Sequence, residues 1–203
     1  LGAEDLQTRQ AAVRALRRVD GAVLAPALLQ IARNETLETR LRVEATRLYA
    51  RRLDSGATRG LQQIVESDTT NLIRVSAVFA LGRINSTDAR SAVVSALETT
   101  DLVVRQAALS AVVEAGAVRA VPRLVDLASA WGAPGADTSL VTQALSAAIE
   151  LVESLPDGAD ERNRSALATL LDTIVRADSA PTSLRETAAL GLGRIEADGG
   201  AEA

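Results

Sequence analysis

The sequence contains no Cys, His, Met or Lys, and its aromatic residues are limited to Tyr49, Phe79 and Trp131. Without Cys, the chain has no disulfide framework and no thiolate metal ligand. Without His, Cys or Lys, it lacks the groups on which most nucleophilic and proton-transfer mechanisms depend at neutral pH. We therefore predict that the protein is not an enzyme and has no catalytic, metal-binding or cofactor-binding residue.

The absence of Met also removes the initiator residue, so we expect Leu1 to begin a processed chain or a part of a longer polypeptide. All 22 basic residues are Arg, which is typical of a GC-rich bacterial genome and favours a bacterial source. No apolar run approaches the roughly 20 residues that a transmembrane helix needs, and no secretion signal opens the chain. We expect a soluble segment, and the choice between cytoplasm and periplasm stays open.

The residues that are present favour packed helices. Hydrophobic residues make up 47% of the chain, and they are almost all Ala, Leu, Val and Ile. Such small and aliphatic side chains suit close helix packing better than a β-sandwich, in which aromatic residues are enriched. The net charge of −4 is unevenly distributed, since residues 1–100 hold 14 Arg against 11 acidic residues and residues 101–203 hold 8 against 15.

A repeated pattern of small and aliphatic residues follows five arginines, which we call the anchor arginines. In the segment from Arg74 to Ile84, such residues stand three, six, seven and ten positions after the arginine. The other anchors are Arg9, Arg42, Arg105 and Arg185, and the first four anchors are separated by 33, 32 and 31 residues. Because these offsets share one face of a 3.6-residue helix, each segment is predicted to be an amphipathic helix.

A second apolar-periodic stretch follows each anchor helix after a short break of turn-forming residues. The pairs predict helical hairpins, which must stack on one another to bury their apolar stripes. We therefore predict an all-α solenoid, a right-handed superhelix of about six stacked hairpins forming a single domain over residues 1–203. The six units are placed at residues 5–34, 38–67, 70–99, 101–130, 137–178 and 181–203. The fifth unit is divergent, and the sixth is a partial C-terminal cap.

Two groups of residues receive structural roles in this solenoid. Asp5, Glu38 and Asp101 each precede an anchor arginine by four positions, which places the carboxylate near the positive end of the helix dipole and within reach of that arginine. We interpret this pattern as a structural ladder. The leucines predicted to fill the space between layers are Leu16, Leu48, Leu81 and Leu192.

The Arg-led first helices, the Arg74–Ile84 ending Ala-Leu-Gly-Arg-Ile, and Pro26 and Pro122 at matching places in second helices resemble HEAT repeats, in particular bacterial HEAT-like repeats. The resemblance covers nearly the whole chain and implies a non-catalytic scaffold that binds a protein or peptide along its concave face. Arrays similar to deoxyhypusine hydroxylase hold iron through His-Glu motifs, and a chain without His does not fit that chemistry. A lyase- or chaperone-like subunit, similar to phycobilisome-lyase HEAT proteins, is an alternative by analogy alone.

The resemblance also implies that the second helices line the concave face, where a polar column recurs. The predicted partner-binding residues are Gln30, Arg59, Gln63, Ser95, Arg123 and Asp126. Arg59 and Arg123 are the expected hot spots, because Arg often anchors interfaces. We expect a monomer that binds a protein or peptide partner.

An alternative function follows from the Arg-rich first two repeats. The candidate anion-binding residues are Arg14, Arg18, Arg40, Arg47 and Arg51, of which the last three are predicted to share a helix face. A solvated outer face is the competing interpretation. The acidic net charge and the scarcity of stacking aromatic residues argue against nucleic acid as the anion.

Overall fold

A computed structural model describes Thr8, Ala11 and residues 21–156 and 158–199. Residues 21–156 and 158–199 contain ten α-helices and no β-strand, which confirms the all-α prediction. The helices are α1 (Gly21–Arg33), α2 (Thr39–Leu53), α3 (Thr58–Ser67), α4 (Asn71–Gly82), α5 (Thr87–Ala96), α6 (Leu102–Glu114), α7 (Val121–Ser129), α8 (Thr138–Glu153), α9 (Glu161–Arg176) and α10 (Thr182–Gly199). The predicted anchor helix at Arg9 lies outside the described residues, as do Asp5, Arg14, Leu16 and Arg18.

The chain divides into two compact units, Leu1–Ala115 and Gly116–Ala203. In the first unit, α2, α4 and α6 carry anchor arginines and pack successively against one another; we call them first helices. The second helices α1, α3 and α5 each pack against the first helix that follows. In the second unit, α7 packs on α8, α9 packs on α10, and α8 packs on α10. The boundaries of the six repeats stay a prediction.

Several helices begin where a side chain caps the backbone. The Asp101 carboxylate accepts hydrogen bonds from the backbone N–H groups of Val103 and Val104, at 3.0 and 3.1 Å, at the start of α6. Asp137 caps α8 and Ser86 caps α5 in a similar way. Such caps satisfy the N–H groups that have no partner within the helix, and so these residues determine where the helices start.

The layer between helices contains the residues that the repeat pattern placed there. Leu81 is fully buried and Leu48 nearly so, and Ala45 and Ala77, three positions after their anchors, have no exposed surface. These four assignments are confirmed. The assignment of Leu192 is wrong in part, because this side chain on α10 is only half-buried.

The anchor arginine of α2 links three successive elements. Arg42 is 2% exposed, and its Nε donates a hydrogen bond to the carbonyl of Ala32 in α1 at 2.9 Å. Its Nη1 donates to the hydroxyl of Thr70 at 3.2 Å, and its Nη2 pairs with the buried carboxylate of Asp68. Because Asp68 and Thr70 lie between α3 and α4, the guanidinium ties α2 to the helices before and after it.

Arg74 repeats this arrangement on α4. Its Nε donates to the carbonyl of Val65 at 2.9 Å, and its Nη1 lies 3.1 Å from the Asp101 carboxylate. The Val104 backbone N–H, which donates to Asp101, holds the pKa of that carboxyl below its ordinary value of 3.8, and the charge of Arg74 adds to this effect. The arginine therefore joins the end of α3 to the N-cap of α6.

The structure corrects the predicted pairing of Asp101 with Arg105. Asp101 forms its ion pair with Arg74 of the preceding repeat, and Arg105 donates from Nε to the carbonyl of Thr99 at 2.9 Å. Helical side chains lean toward the helix N-terminus, which directs Arg105 to the chain just before α6. The structural interpretation agrees with the bonds of Asp101, which caps its own helix and pairs with the anchor arginine of the preceding repeat.

Replacing Gly60 with Ala is expected to destabilise the fold by about 1–3 kcal/mol, the usual cost of overpacking. A Cβ at Gly60 would lie 2.8 and 2.9 Å from the ring carbons Cζ and Cε1 of Tyr49, which is only 5% exposed. Gly193→Ala is the matched control, because no atom beyond its chain neighbours and the nearby backbone of α10 lies within 4 Å of the position that a Cβ would take there. The free energy of unfolding of the control should rise by up to about 1 kcal/mol, because Ala has a higher helix propensity than Gly. Urea unfolding measures both; equal shifts in stability would contradict the predicted clash.

Candidate interaction surfaces

Four of the six predicted partner-binding residues lie on the second helices of the first unit, and two lie on α7 of the second unit. Five are exposed and Gln63 is half-buried. The first unit holds Gln30 on α1, Arg59 and Gln63 on α3, and Ser95 on α5, whereas the second unit holds Arg123 and Asp126 on α7.

A polar depression of about 370 Å³ lies between α3 and α5 on this surface. It brings together two of the predicted residues, Arg59 and Ser95. Its full lining is Ser55, Gly56, Thr58, Arg59, Gln62, Asp88, Ser91, Ala92 and Ser95. Gln30 and Gln63 are not part of it, and Gln63 instead accepts a 3.4 Å hydrogen bond from Arg33. The depression offers charges of both signs together with several hydroxyl and amide groups, which suits hydrogen bonding to a polypeptide.

A larger recess, which we call the arginine groove, lies on the first helices of the same unit. Its volume is about 930 Å³, and its lining is Arg47, Ala50, Arg51, Ser76, Phe79, Ala80, Arg83, Ile84 and Glu114. Of the predicted anion-binding residues, Arg47 and Arg51 line the groove, whereas Arg40 is exposed on the same helix but is not in the lining. The structure thus divides the arginines that the sequence grouped together. The groove is therefore a more specific candidate for an anion-binding site than a diffuse basic face.

The charge in the arginine groove is positive. Arg83 Nε lies 3.2 Å from Glu114 Oε1, and these side chains are 76% and 45% exposed. An exposed pair of this kind contributes little to stability, about 0–1 kcal/mol. In the described part of the chain, no hydrogen bond or ion pair engages the exposed side chains of Arg47 and Arg51. Two guanidinium groups are therefore available to a ligand.

The groove also contains an apolar part and an unpartnered hydroxyl. Phe79 is 40% exposed, although Ala80 and Ile84 beside it are buried. Ser76 is 7% exposed and its Oγ has no hydrogen-bond partner among the described atoms. A helical Ser or Thr often donates to the carbonyl four residues earlier, as Thr46 does to Arg42 at 2.9 Å, but Ser76 does not.

Sequence reasoning did not predict the contributions of Ser76, Phe79, Arg83 and Glu114 to this groove. A signal for two of them was present, because Arg83 and Glu114 stand nine positions after their anchors, as Arg51 does. Successive first helices pack side by side, so residues at equal distances from their anchors form a row across the surface. The row therefore reads Arg, Arg, Glu along α2, α4 and α6.

Within residues 21–156 and 158–199, no group of three or more Asp and Glu side chains is arranged to hold a metal ion. None of the helices in those ranges is both long enough and apolar enough to cross a membrane.

Known proteins support the repeat architecture. The family model of HEAT repeats matches residues 58–134. The crystal structure of an engineered protein is 18% identical, with 98% of this chain and 94% of that chain covered and a TM-score of 0.53. The crystal structure of the archaeal HEAT-like repeats protein from Thermococcus onnurineus NA1 is 16% identical, with 98% and 85% covered and a TM-score of 0.54.

No curated protein matches the chain in sequence. The likeness to the two solved structures, at identities below one fifth, concerns the fold. Together with the helices described above, it confirms the predicted all-α solenoid architecture. The family match adds that residues 58–134 are similar to HEAT repeats.

Proposed function

We propose that this protein is a non-catalytic scaffold that binds a protein or peptide partner on the surface of its second helices. HEAT repeats commonly serve as protein-interaction scaffolds, which supports the general role. The observation that carries the specific proposal is the polar depression, which joins Arg59 of α3 and Ser95 of α5 in one recess. A partner that reaches this recess contacts two successive repeats at once.

The chemistry of the chain supports binding over catalysis. It contains no His, Cys or Lys to act as a nucleophile or as a proton-transfer group near neutral pH. The lowered pKa of Asp101 belongs to a carboxylate that caps α6 and pairs with Arg74, which is a structural use of that group. The titratable side chains of the depression, Arg59 and Asp88, are exposed.

The depression fits a polypeptide in its extended form. Hydroxyl groups of Ser91 and Ser95 and the carboxylate of Asp88 offer acceptors, and Arg59 and Gln62 offer donors. A peptide backbone presents one donor and one acceptor per residue, so a mixed polar recess satisfies both kinds of group. Arg59 is the proposed hot spot, since arginine combines a fixed charge with several N–H donors.

The proposal extends to the second unit through Arg123 and Asp126, which are exposed on α7. We propose that these residues contact the same partner and that the scaffold acts as a monomer. Sedimentation equilibrium of the free protein and of its complex with a bound peptide tests the monomeric state directly. A dimeric scaffold would have twice the molar mass of the monomer.

The test uses peptides selected from a displayed random library against the unmodified protein. The double variant Arg59→Glu/Ser95→Arg is expected to weaken their binding at least about tenfold, because it reverses a hot-spot charge and fills the recess. The control Arg40→Glu/Ser110→Arg makes the same two changes at exposed positions on first helices, outside both recesses. Fluorescence anisotropy measures the affinities. Equal losses in the two variants would contradict the proposed surface.

A further inference from the structure

We propose that the arginine groove binds an acidic segment of a partner protein, with carboxylates on Arg47 and Arg51 and an apolar side chain against Phe79. This site lies on the first helices, whereas the proposed scaffold surface lies on the second helices. It therefore goes beyond the proposed function and is tested with different residues.

Charge complementarity identifies the sign of the ligand. The groove contains three arginines and one glutamate, and the glutamate is already 3.2 Å from Arg83. Arg47 and Arg51, one helical turn apart on α2, have no partner in the described part of the chain. A guanidinium presents N–H donors in a planar fork that matches a carboxylate. Two such groups side by side favour a segment with more than one acidic residue.

The apolar part of the groove distinguishes a peptide from a nucleic acid. Phe79 is 40% exposed, and Ala50, Ala80 and Ile84 line the groove beside it. A peptide that carries both carboxylates and aliphatic side chains satisfies both parts. Single-stranded nucleic acids are bound on several stacking aromatic residues, whereas this groove has one.

Ser76 is an independent indication that the groove is built for a polar ligand. Its side chain lines the groove, is 93% buried, and holds a hydroxyl with no hydrogen-bond partner. An unsatisfied buried hydroxyl is costly, so residues in such positions usually have a partner that completes them. The oxygen itself has less than 1 Å² of accessible surface, so a carboxylate in the groove accepts its hydrogen bond when the Ser76 side chain rotates toward the groove.

The size of the groove sets the extent of the contact. Its volume of about 930 Å³ lies near the upper end of the roughly 300–1,000 Å³ that bound small molecules occupy. That space holds several side chains of an extended segment and not a folded domain. We therefore place a short acidic stretch in the groove, with the rest of the partner outside it.

The experiment compares labelled peptides on the full chain by fluorescence anisotropy at physiological ionic strength. A peptide that alternates Glu and Leu is expected to bind at least about tenfold more tightly than the same peptide with Gln in place of Glu, because charge-assisted bonds to arginine are lost. Arg51→Glu should weaken binding of the acidic peptide at least about tenfold. Arg40→Glu, the same change on the same helix but outside the groove, should alter affinity less than about twofold.

Ser76→Ala separates a binding role from a structural one. The substitution is expected to weaken binding of the acidic peptide roughly 3- to 10-fold, which is the effect of one net hydrogen bond. It should not lower the thermal unfolding midpoint, because the hydroxyl makes no hydrogen bond in the free protein. Phe79→Ala should weaken binding of the alternating Glu-Leu peptide more than binding of an alternating Glu-Ser peptide. Loss of stability in Ser76→Ala without loss of binding would overturn the role of this residue.

Three results would overturn the proposal as a whole. They are equal effects of Arg40→Glu and Arg51→Glu, binding of single-stranded oligothymidine more tightly than of the acidic peptide, and concentration-dependent self-association that Arg51→Glu abolishes. The first would indicate a diffuse basic face, the second a nucleic-acid site, and the third a contact between copies. None of them changes the outcome expected for Arg59→Glu/Ser95→Arg, so failure here is distinguishable from failure of the scaffold surface.

Discussion

Arg42→Leu is expected to lower the free energy of unfolding by about 3–5 kcal/mol, the usual effect of breaking a buried ion pair. The substitution leaves the Asp68 carboxylate, 3% exposed, without its cation, and it leaves the carbonyl of Ala32 without the 2.9 Å hydrogen bond from Nε. The loss is large because removal of one partner leaves the desolvation cost of the other in place. Urea denaturation followed by far-ultraviolet circular dichroism measures it through the midpoint and the slope.

Two controls separate the buried pair from charge in general. Arg176→Leu breaks the exposed pair with Asp172, whose side chains are 79% and 44% exposed, and should cost less than about 1 kcal/mol. Asp68→Asn in the Arg42→Leu background should recover part of the loss, because the uncompensated charge is removed while Oδ1 still accepts the 2.8 Å bond from Thr70 N–H. Equal losses for Arg42→Leu and Arg176→Leu would show that the ladder contributes nothing beyond surface charge.

Leu81→Ala is expected to destabilise the protein by about 2–5 kcal/mol, the range for a buried leucine replaced by alanine. Leu81 has no exposed surface and stands seven positions after Arg74, on the face of α4 that the repeat pattern assigns to the core. The truncation leaves a cavity between stacked helices, and stacked repeats transmit such a loss to their neighbours. Urea unfolding again measures the change.

Leu190→Ala is the matched control for this substitution. Leu190 is 68% exposed on α10, so its truncation should change stability by no more than about 0.5 kcal/mol. A loss below about 0.5 kcal/mol for Leu81→Ala would show that the register of the repeat pattern is wrong. The two leucines differ mainly in burial, so their comparison isolates the contribution of packing.

Much of the fold was predictable because its signals are local. The offsets after Arg74 predicted α4 and the burial of Ala77 and Leu81, since a 3.6-residue period assigns each residue to a face without any knowledge of its neighbours. The second apolar-periodic stretch that was predicted after the Arg42 helix corresponds to α3. The division of the chain into two compact units after Ala115 was not predicted, because it depends on how strongly helices pack and not on their period.

The candidate surfaces were predictable only in part. The polar column predicted Ser95, and Arg59 was predicted beside that column; these two residues meet in one depression, whereas Gln30 and Gln63 of the column lie outside it. The Arg-rich run predicted Arg47 and Arg51 but not their neighbours in the groove. Those neighbours come from α4 and α6, and the distance between residues on different helices is not a property of either helix alone.

By itself, the sequence determined that the described chain is helical and which faces of its helices are buried, because helix period and side-chain size act within a few neighbouring residues. Only the tertiary structure decided that Asp101 pairs with Arg74 and not with Arg105 of its own repeat, and that Ser76 and Phe79 join Arg51 in one groove. Such pairings depend on the spacing and rotation of stacked helices, which result from the packing of many side chains at once.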